Sequence, residues 1–514
     1  MRFCTGKPRV AISSLSVMVA LCVSMQMATA QTAIQVVDAV PWSPPYRLVE
    51  PPPMLAEEQY SIALPDLGSA PNLFQQQQER KIGEAILREL NRQAPVFDDP
   101  WVQDELRILF HQMSAEAGVA APVAFMVIRD PQINAFAVPG GLVAMHTGLI
   151  LSARNLDEVA GVMAHEVAHV SQRHFSRRQE DLRYSKWLPL GGLLAGLLLS
   201  RTDIDAGSAV ATGAQALAAN NYLSYSRDQE READRIGMQL MYAAGFAPSA
   251  MSDFFDVMQQ RQSMGVMSVL PDFLLTHPLG QERMSEARLR ASQYPARVLT
   301  QGAAQLNFQV MKGRVAALTD AVTVAALKPQ AARDDAGKLT LATRYQMERQ
   351  FEPARQLVAD VRQRRPEWLI ANLVAAEVEL AADQPQVAIE ILLPMLQIMP
   401  ENRALILRIA EAYIAANQPE QAIAVLLPLS RRFPQDVLIW QALHQATLKL
   451  PESTPYQSVS LLRYRAEELF WRGQMDQAIV SLERAVVLAE QSDALKAQVA
   501  QRIQQMREDR KQKL

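Results

Sequence analysis

Cysteine is almost absent: the 514-residue chain has two, Cys4 and Cys22, both at its extreme amino-terminal end. If that end is removed on export, no thiol remains. Disulfides are then excluded, and stability must come from packing, a bound ion or stacked helices. A basic surplus is missing too. Lys and Arg number 51 against 54 Asp and Glu, a formal net charge of −3, so nucleic acid is not an expected partner. Histidine is scarce, at seven residues, so two of them at a chemically useful spacing carry weight. Long hydrophobic runs are lacking as well. The most apolar internal stretch, residues 187–200, falls short of the roughly twenty residues a membrane-spanning helix needs. It reads as a lid over a site, a peripheral membrane contact or a buried helix.

What is present begins at the amino terminus. Arg2, Lys7 and Arg9 precede an apolar core from Val10 to Val23, and Ala28-Thr29-Ala30 offers a small-residue cleavage site. This is the layout of a secretory signal peptide cut after Ala30, with an uncleaved anchor as the competing reading. Its removal takes away three positive charges, leaving a mature chain near −6. Residues 31–72 follow with eight prolines. Proline fixes φ and removes backbone donors, so an extended leader is expected there.

From 73 to 300 the pattern is mostly helical, with one β patch. Apolar spacing predicts helices over 74–93, 101–117, 155–175 and 226–243, and strands over 123–128 and 135–146, the latter broken by a turn at Pro139-Gly140-Gly141. Beyond 304 an internal repeat appears. Pro366, Pro400 and Pro434 recur every 34 residues, as do Ala342, Ala376 and Ala410, and Ala354, Ala388 and Ala422. Small alanines where helices cross, with proline closing the second helix, are the tetratricopeptide pattern. About four repeats are expected over 335–495, preceded by less regular helices at 304–330. The expected fold is therefore mainly α: a helical domain with a small β-sheet over 73–300, followed by an α-helical tetratricopeptide solenoid over 304–514. Stacked repeats build a concave surface suited to peptides or partner proteins.

The strongest chemical signal is His165-Glu166-Val167-Ala168-His169. On a helix, positions i and i+4 share one face, so both imidazoles can reach one ion. Glu166 can take a proton from a water polarised there and pass it to a leaving amine. Asn155 is placed to cap the helix, with Glu158 reaching back. A catalytic zinc needs a third protein ligand. The segment Ser226 to Asp234 supplies four carboxylates. Glu230 as ligand, with Asp234 orienting a histidine, is the economical assignment, although Asp228 or Asp234 could compete by spacing alone. Glu232 is expected to point away, and His111, His146, His174 and His444 read as structural or surface residues.

His165-Glu166-x-x-His169 followed by Glu230-x-x-x-Asp234 resembles the CAAX-prenyl-endopeptidase/HtpX-like metallopeptidases, as does Asn134 to Leu142 running on to Thr147-Gly148-Leu149. The order of signal peptide, protease and repeats is similar to that of their periplasmic, tetratricopeptide-bearing members. The resemblance implies one Zn2+ per chain, Glu230 as third ligand and a periplasmic location. It also implies roles in cleaving misfolded or stalled envelope proteins and in outer-membrane protein assembly, with repeats that recruit substrate or the assembly machinery. The alternative it carries is a chaperone or scaffold with a largely latent peptidase. Thr276-His277-Pro278 and Arg283 match another stretch of these proteins, which implies His277 as a regulatory zinc ligand. Arg283 is left between stabilising a transition state and pairing with an acid. Peptidases of this kind hold substrate as an added strand, and Ala135, Phe136, Ala137 and Val138 are the expected substrate strand.

Overall fold

The computed structural model describes residues 73–119, 122–175, 225–263, 273, 276–451, 454–489 and 492–511. The expected signal peptide, proline-rich leader and apolar stretch 187–200 lie outside them.

Two helices open the described chain, α1 (Leu73–Gln93) and α2 (Pro100–Glu116). Asp99 starts α2 by accepting a hydrogen bond from the Val102 amide at 2.9 Å, with Pro100 at the first helical position. Proline suits that position because the amide it lacks would have no helical partner. Three short strands follow: β1 (Ala124–Ile128), β2 (Ala135–Val138) and β3 (Leu142–His146). They form one sheet in the order β1-β3-β2, with β1 parallel and β2 antiparallel to β3. The β2–β3 turn places Gly140 and Gly141 at φ 82° and 75°, a left-handed backbone that favours glycine.

After the one-turn α3 (Thr147–Ser152) come α4 (Leu156–Ser171), α5 (Arg227–Ala243), α6 (Ser249–Ser263) and α7 (Gln281–Ala291). Asn155 caps α4, accepting from the Glu158 amide at 2.9 Å. The Glu158 carboxylate reaches back one residue further than expected, to the Arg154 amide at 2.6 Å and the Arg154 guanidinium. The long Arg154 side chain draws it there. A full capping box, Ser226 with Gln229, starts α5. Helices α4 and α5 pack closely because α5 presents small residues. A Cβ added at Gly237 would lie 2.9 Å from Met251 Cε and 3.2 Å from the His165 nitrogen.

The solenoid begins with α8 (Gly302–Leu318) and α9 (Val324–Ala331) and continues with α10 (Asp335–Met347), α11 (Phe351–Arg364), α12 (Leu369–Ala381), α13 (Pro385–Ile398), α14 (Arg403–Ala415), α15 (Pro419–Arg432) and α16 (Val437–Leu448). It ends with α17 (Pro455–Trp471), α18 (Met475–Leu488) and α19 (Asp493–Lys511). Every alanine of the two repeat registers is fully buried, which is why no larger residue recurs there. Helices α11, α13 and α15 stop two residues before Pro366, Pro400 and Pro434. A further register emerges at Arg349, Asp383 and Asn417, which close the first helix of successive pairs at φ 59°, 59° and 56°.

The described residues all fall in one compact unit, and the repeats fold back against the amino-terminal helices. Arg314 of α8 joins Asp99 at 2.7 Å to Glu377 of α12 at 2.7 Å, and Arg408 of α14 adds a bond to Glu377 at 2.6 Å. Asp104 of α2 holds Arg403 at 3.1 Å and the Ala404 amide at 3.0 Å. Asn91 of α1 donates to the Trp471 carbonyl at 3.0 Å. Among the described residues no helix is long and apolar enough to cross a membrane.

Candidate metal centre

Helix α4 places His165 and His169 one turn apart, as the i, i+4 spacing requires, and α5 crosses so that Glu230 reaches both. Glu230 lies 3.5 Å from His165 Nε2 and 3.4 Å from His169 Nε2. His277, anchored through its amide to the Phe273 carbonyl at 2.7 Å, completes the group. Its Nδ1 is 2.9 Å from Glu230 Oε1 and 3.2 Å from His165 Nε2. One donor atom from each of the four lies within 4.8 Å of every other, and all four residues are buried. Zinc–nitrogen and zinc–oxygen bonds of about 2.0–2.1 Å would set tetrahedral edges of about 3.3 Å. Separations of 2.9 to 3.5 Å fit that size, and the nitrogen–oxygen donor set fits a borderline divalent ion.

The ligand side chains are held from behind. Asp234 Oδ1 stands 3.0 Å from His165 Nδ1. Arg283 forks onto Asp234 at 2.6 and 2.8 Å and touches Glu230 Oε2 at 2.5 Å. Its guanidinium is thus committed to two acids. On the other side His174 Nδ1 lies 2.9 Å from His169 Nδ1, and His174 Nε2 lies 3.0 Å from Glu232. His174 is fully buried, a structural residue as expected but one that supports His169, while Glu232, expected to point away as a surface charge, is its partner. The turn after α4, with Arg173 at φ 52°, folds His174 back under His169. The only sequence signal for this was the His169-x4-His174 interval, which looks like a helix continuing. Tyr225 was also passed over. Its ring lies over His169 with centroids 3.9 Å apart, and Phe273 stacks on His277 at 4.6 Å. Asp228 is exposed, far from a ligand's environment.

Charge in the centre follows from burial set against these partners. Burial opposes a charged His165, but Asp234 and Glu230 outweigh it and push its pKa up to about 9. Burial drives His169 well below its ordinary value despite Glu230. For Glu230, burial is overcome by His277 and Arg283, which hold the carboxyl well below the usual range, while Asp234 is lowered to about 2 chiefly by Arg283. Two carboxylates held in their ionised form face three imidazoles, with Arg283 balancing part of their charge from behind. Glu166 differs: burial raises it, with His277 and His165 pulling the other way. Both its carboxylate oxygens are buried without hydrogen-bond geometry to any described group, and His277 Nε2 is 3.5 Å from one of them. A buried carboxylate whose pKa is raised, with the Ala137 backbone and His277 near it, is poised to accept a proton from something small beside it.

β2 is an edge strand, and α4 packs against it. The His146 amide donates to the Asn134 carbonyl at 2.9 Å. By the strand's period of two, Phe136 and Val138 face β3, while Ala135 and Ala137 present their amides and carbonyls to the open edge. A cavity of 30 Å³ between Ala137, Val138, His169 and Tyr225 has room for about one water.

Residues 100–291 match the model of peptidase family M48, and residues 379–446 match a tetratricopeptide repeat. The segment 100–291, similar to M48 peptidases, holds the centre just described, and the repeat match falls within the solenoid. A Vibrio cholerae protein is 38% identical over 258 residues, 50% of this chain and 52% of its own length. The beta-barrel assembly-enhancing protease of Escherichia coli is 38% identical over 234 residues, 45% of this chain and 47% of the relative. A mitochondrial metalloendopeptidase of Arabidopsis thaliana, OMA1, is 28% identical over 196 residues, 38% of this chain and 37% of the relative. The chain spans about half the length of the bacterial relatives it matches.

Proposed function

We propose that the chain is an exported, periplasmic zinc endopeptidase that cuts misfolded or stalled envelope proteins. The supporting observation is the buried group His165, His169, Glu230 and His277 with the buried Glu166 carboxylate beside it. His165, His169 and Glu230 would hold the ion, which when bound supplies Lewis-acid polarisation of a carbonyl and a water. Asp234 fixes the tautomer of His165, and Arg283 fixes Asp234 and Glu230. Glu166, raised by burial, takes the proton of the attacking water and returns it to the leaving amine. The open edge of β2, at Ala135 and Ala137, aligns the substrate backbone. The repeats recruit substrate or an outer-membrane assembly machine, a role supported by the name of the Escherichia coli relative.

A second reading, a chaperone or scaffold with a latent peptidase, is favoured by His277, which stands where a fourth ligand would exclude water. Metal content by elemental analysis, with casein cleavage measured in parallel on wild type, Glu166→Gln and His277→Ala, separates the two. One zinc per chain in all three, cleavage lost in Glu166→Gln and enhanced in His277→Ala, is the expected result. No zinc in the wild type, or cleavage retained by Glu166→Gln, would sink the peptidase reading.

A further inference from the structure

The sheet has a second open edge, on the side away from the metal centre. Strand β1 pairs with β3 on one side only. On its other side the chain itself begins an antiparallel pairing. The Phe97 amide donates to the Val127 carbonyl and the Arg129 amide to the Pro95 carbonyl, both at 2.8 Å, around a bridge between Val96 and Ile128. That pairing stops after one bridge, because Asp99 and Pro100 turn the chain into α2. Phe125, two residues before Val127, presents its amide and carbonyl to the same edge by the strand's period. Among the described residues no segment continues along it there.

Opposite Phe125 lies the corner between α15 and α16, and the space between is a cleft of 480 Å³ lined on one wall by β1 and on the other by Arg431, Phe433 and Gln435. This is the scale of a ligand site, about 300–1,000 Å³. Five arginines and two aspartates line it. Arg80, Arg107, Arg403 and Arg432 each have an acid partner. Arg431 is exposed and has no hydrogen bond or ion pair with any described residue. Arg107 stacks on the Phe433 ring at 4.5 Å and Arg432 at 5.6 Å, which gives the repeat wall an apolar face edged with cations.

We propose that this cleft receives an extended, acidic segment of another polypeptide as an added strand on β1. The segment runs antiparallel to β1, in line with Pro95–Phe97, and sets a carboxylate against Arg431. An unpaired edge supplies sequence-tolerant main-chain bonds, and the arginine wall selects for acid. The site is a docking surface separate from the catalytic edge, and it does not rest on metal or on cleavage.

The test uses the full chain carrying Glu166→Gln, so that no cleavage can consume the probe. A short fluorescein-labelled peptide of alternating valine and glutamate is titrated and followed by anisotropy. Arg431→Glu together with Gln435→Glu should raise Kd on the order of tenfold or more, and added salt should weaken wild-type binding. A peptide N-methylated at alternate residues, with unchanged charge, should lose binding in one methylation phase and keep it in the other. A photo-crosslinker placed at Gln435 should join the peptide. Unchanged affinity in the charge-reversal variant, equal binding of both methylated peptides, or a crosslink to the chain's own residues 31–72 or to a second copy would each overturn the proposal. Circular dichroism matching the parent would show that the variant is folded, so lost binding cannot be ascribed to unfolding.

Discussion

His169 is held from behind by an imidazole rather than by the usual carboxylate. Its Nδ1 meets His174, which passes the interaction on to Glu232, whereas His165 meets Asp234 directly. Groups that orient metal ligands typically change affinity 10- to 100-fold when removed. His174→Ala is accordingly expected to weaken zinc retention by about 10-fold or more in a chelator competition, with His174→Asn, which keeps a donor and an acceptor, recovering part of the loss. Equal retention by His174→Ala and wild type would reduce His174 to packing. The pair His165 and His169, with Glu166, could be read from five consecutive residues because helical spacing alone puts them together. His174 could not, since its position depends on the left-handed Arg173 ending the helix.

At the scale of elements, β2 offers a sharper test than the metal ligands. Proline removes one backbone donor. At Phe136 it would break the ladder to β3, but at Ala137 it leaves the ladder intact and removes a donor on the open edge, beside Glu166. Ala137→Pro should therefore keep its zinc and lose casein cleavage, as read by elemental analysis beside a cleavage assay. Cleavage at the wild-type rate would remove β2 from substrate binding. The repeat turns provide a stability test. Asp383 and Asn417 tolerate the left-handed backbone that closes their helices, but Arg349 at φ 59° occupies the equivalent position without that aptitude. Arg349→Gly should stabilise the chain by about 0.5–1 kcal/mol in urea unfolding, offset slightly by loss of its contact with the Phe351 ring at 5.6 Å. Helices α1, α2, α4 and α5, the strands and the 34-residue period were legible, because capping, alternation and recurrence are local properties, whereas α3, α6 and α7 were not foreseen. The extra left-handed register was hidden, since arginine, aspartate and asparagine share no obvious chemistry.

Across the whole molecule, buried ion pairs tie the repeats to the amino-terminal helices. Arg314 bridges Asp99 and Glu377, and all three are buried. Removing one member of such a set leaves charges unpaired, so Arg314→Met should cost about 3–5 kcal/mol, measured by urea unfolding. Glu377 makes the same network sensitive to acid. Burial alone would raise its carboxyl, but Arg314 and Arg408 outweigh burial and hold it below the ordinary range. A group depressed on folding contributes its full stability above the unfolded value of about 4.3 and loses it as pH falls through the folded value. The Tm should therefore fall as pH is lowered below about 4.3, and more steeply in wild type than in Glu377→Gln. Parallel profiles would show that other groups govern acid unfolding.

The sequence by itself determined the helical zincin pattern, the two-histidine helix with its glutamate and the solenoid, each written in intervals shorter than one structural unit. The tertiary structure alone decided that Glu232 backs His174 and Asp228 faces solvent, that Arg283 is spent on two carboxylates, and that His174 belongs to the centre. It also decided that the solenoid closes over α2 and leaves β1 facing a cation-edged cleft. Those outcomes depend on how closely α4 and α5 cross at Gly237 and on pairings between residues hundreds of positions apart, such as Asp104 with Arg403. Distance in the chain carries no information about either, because packing and charge neutralisation are settled only when the elements meet.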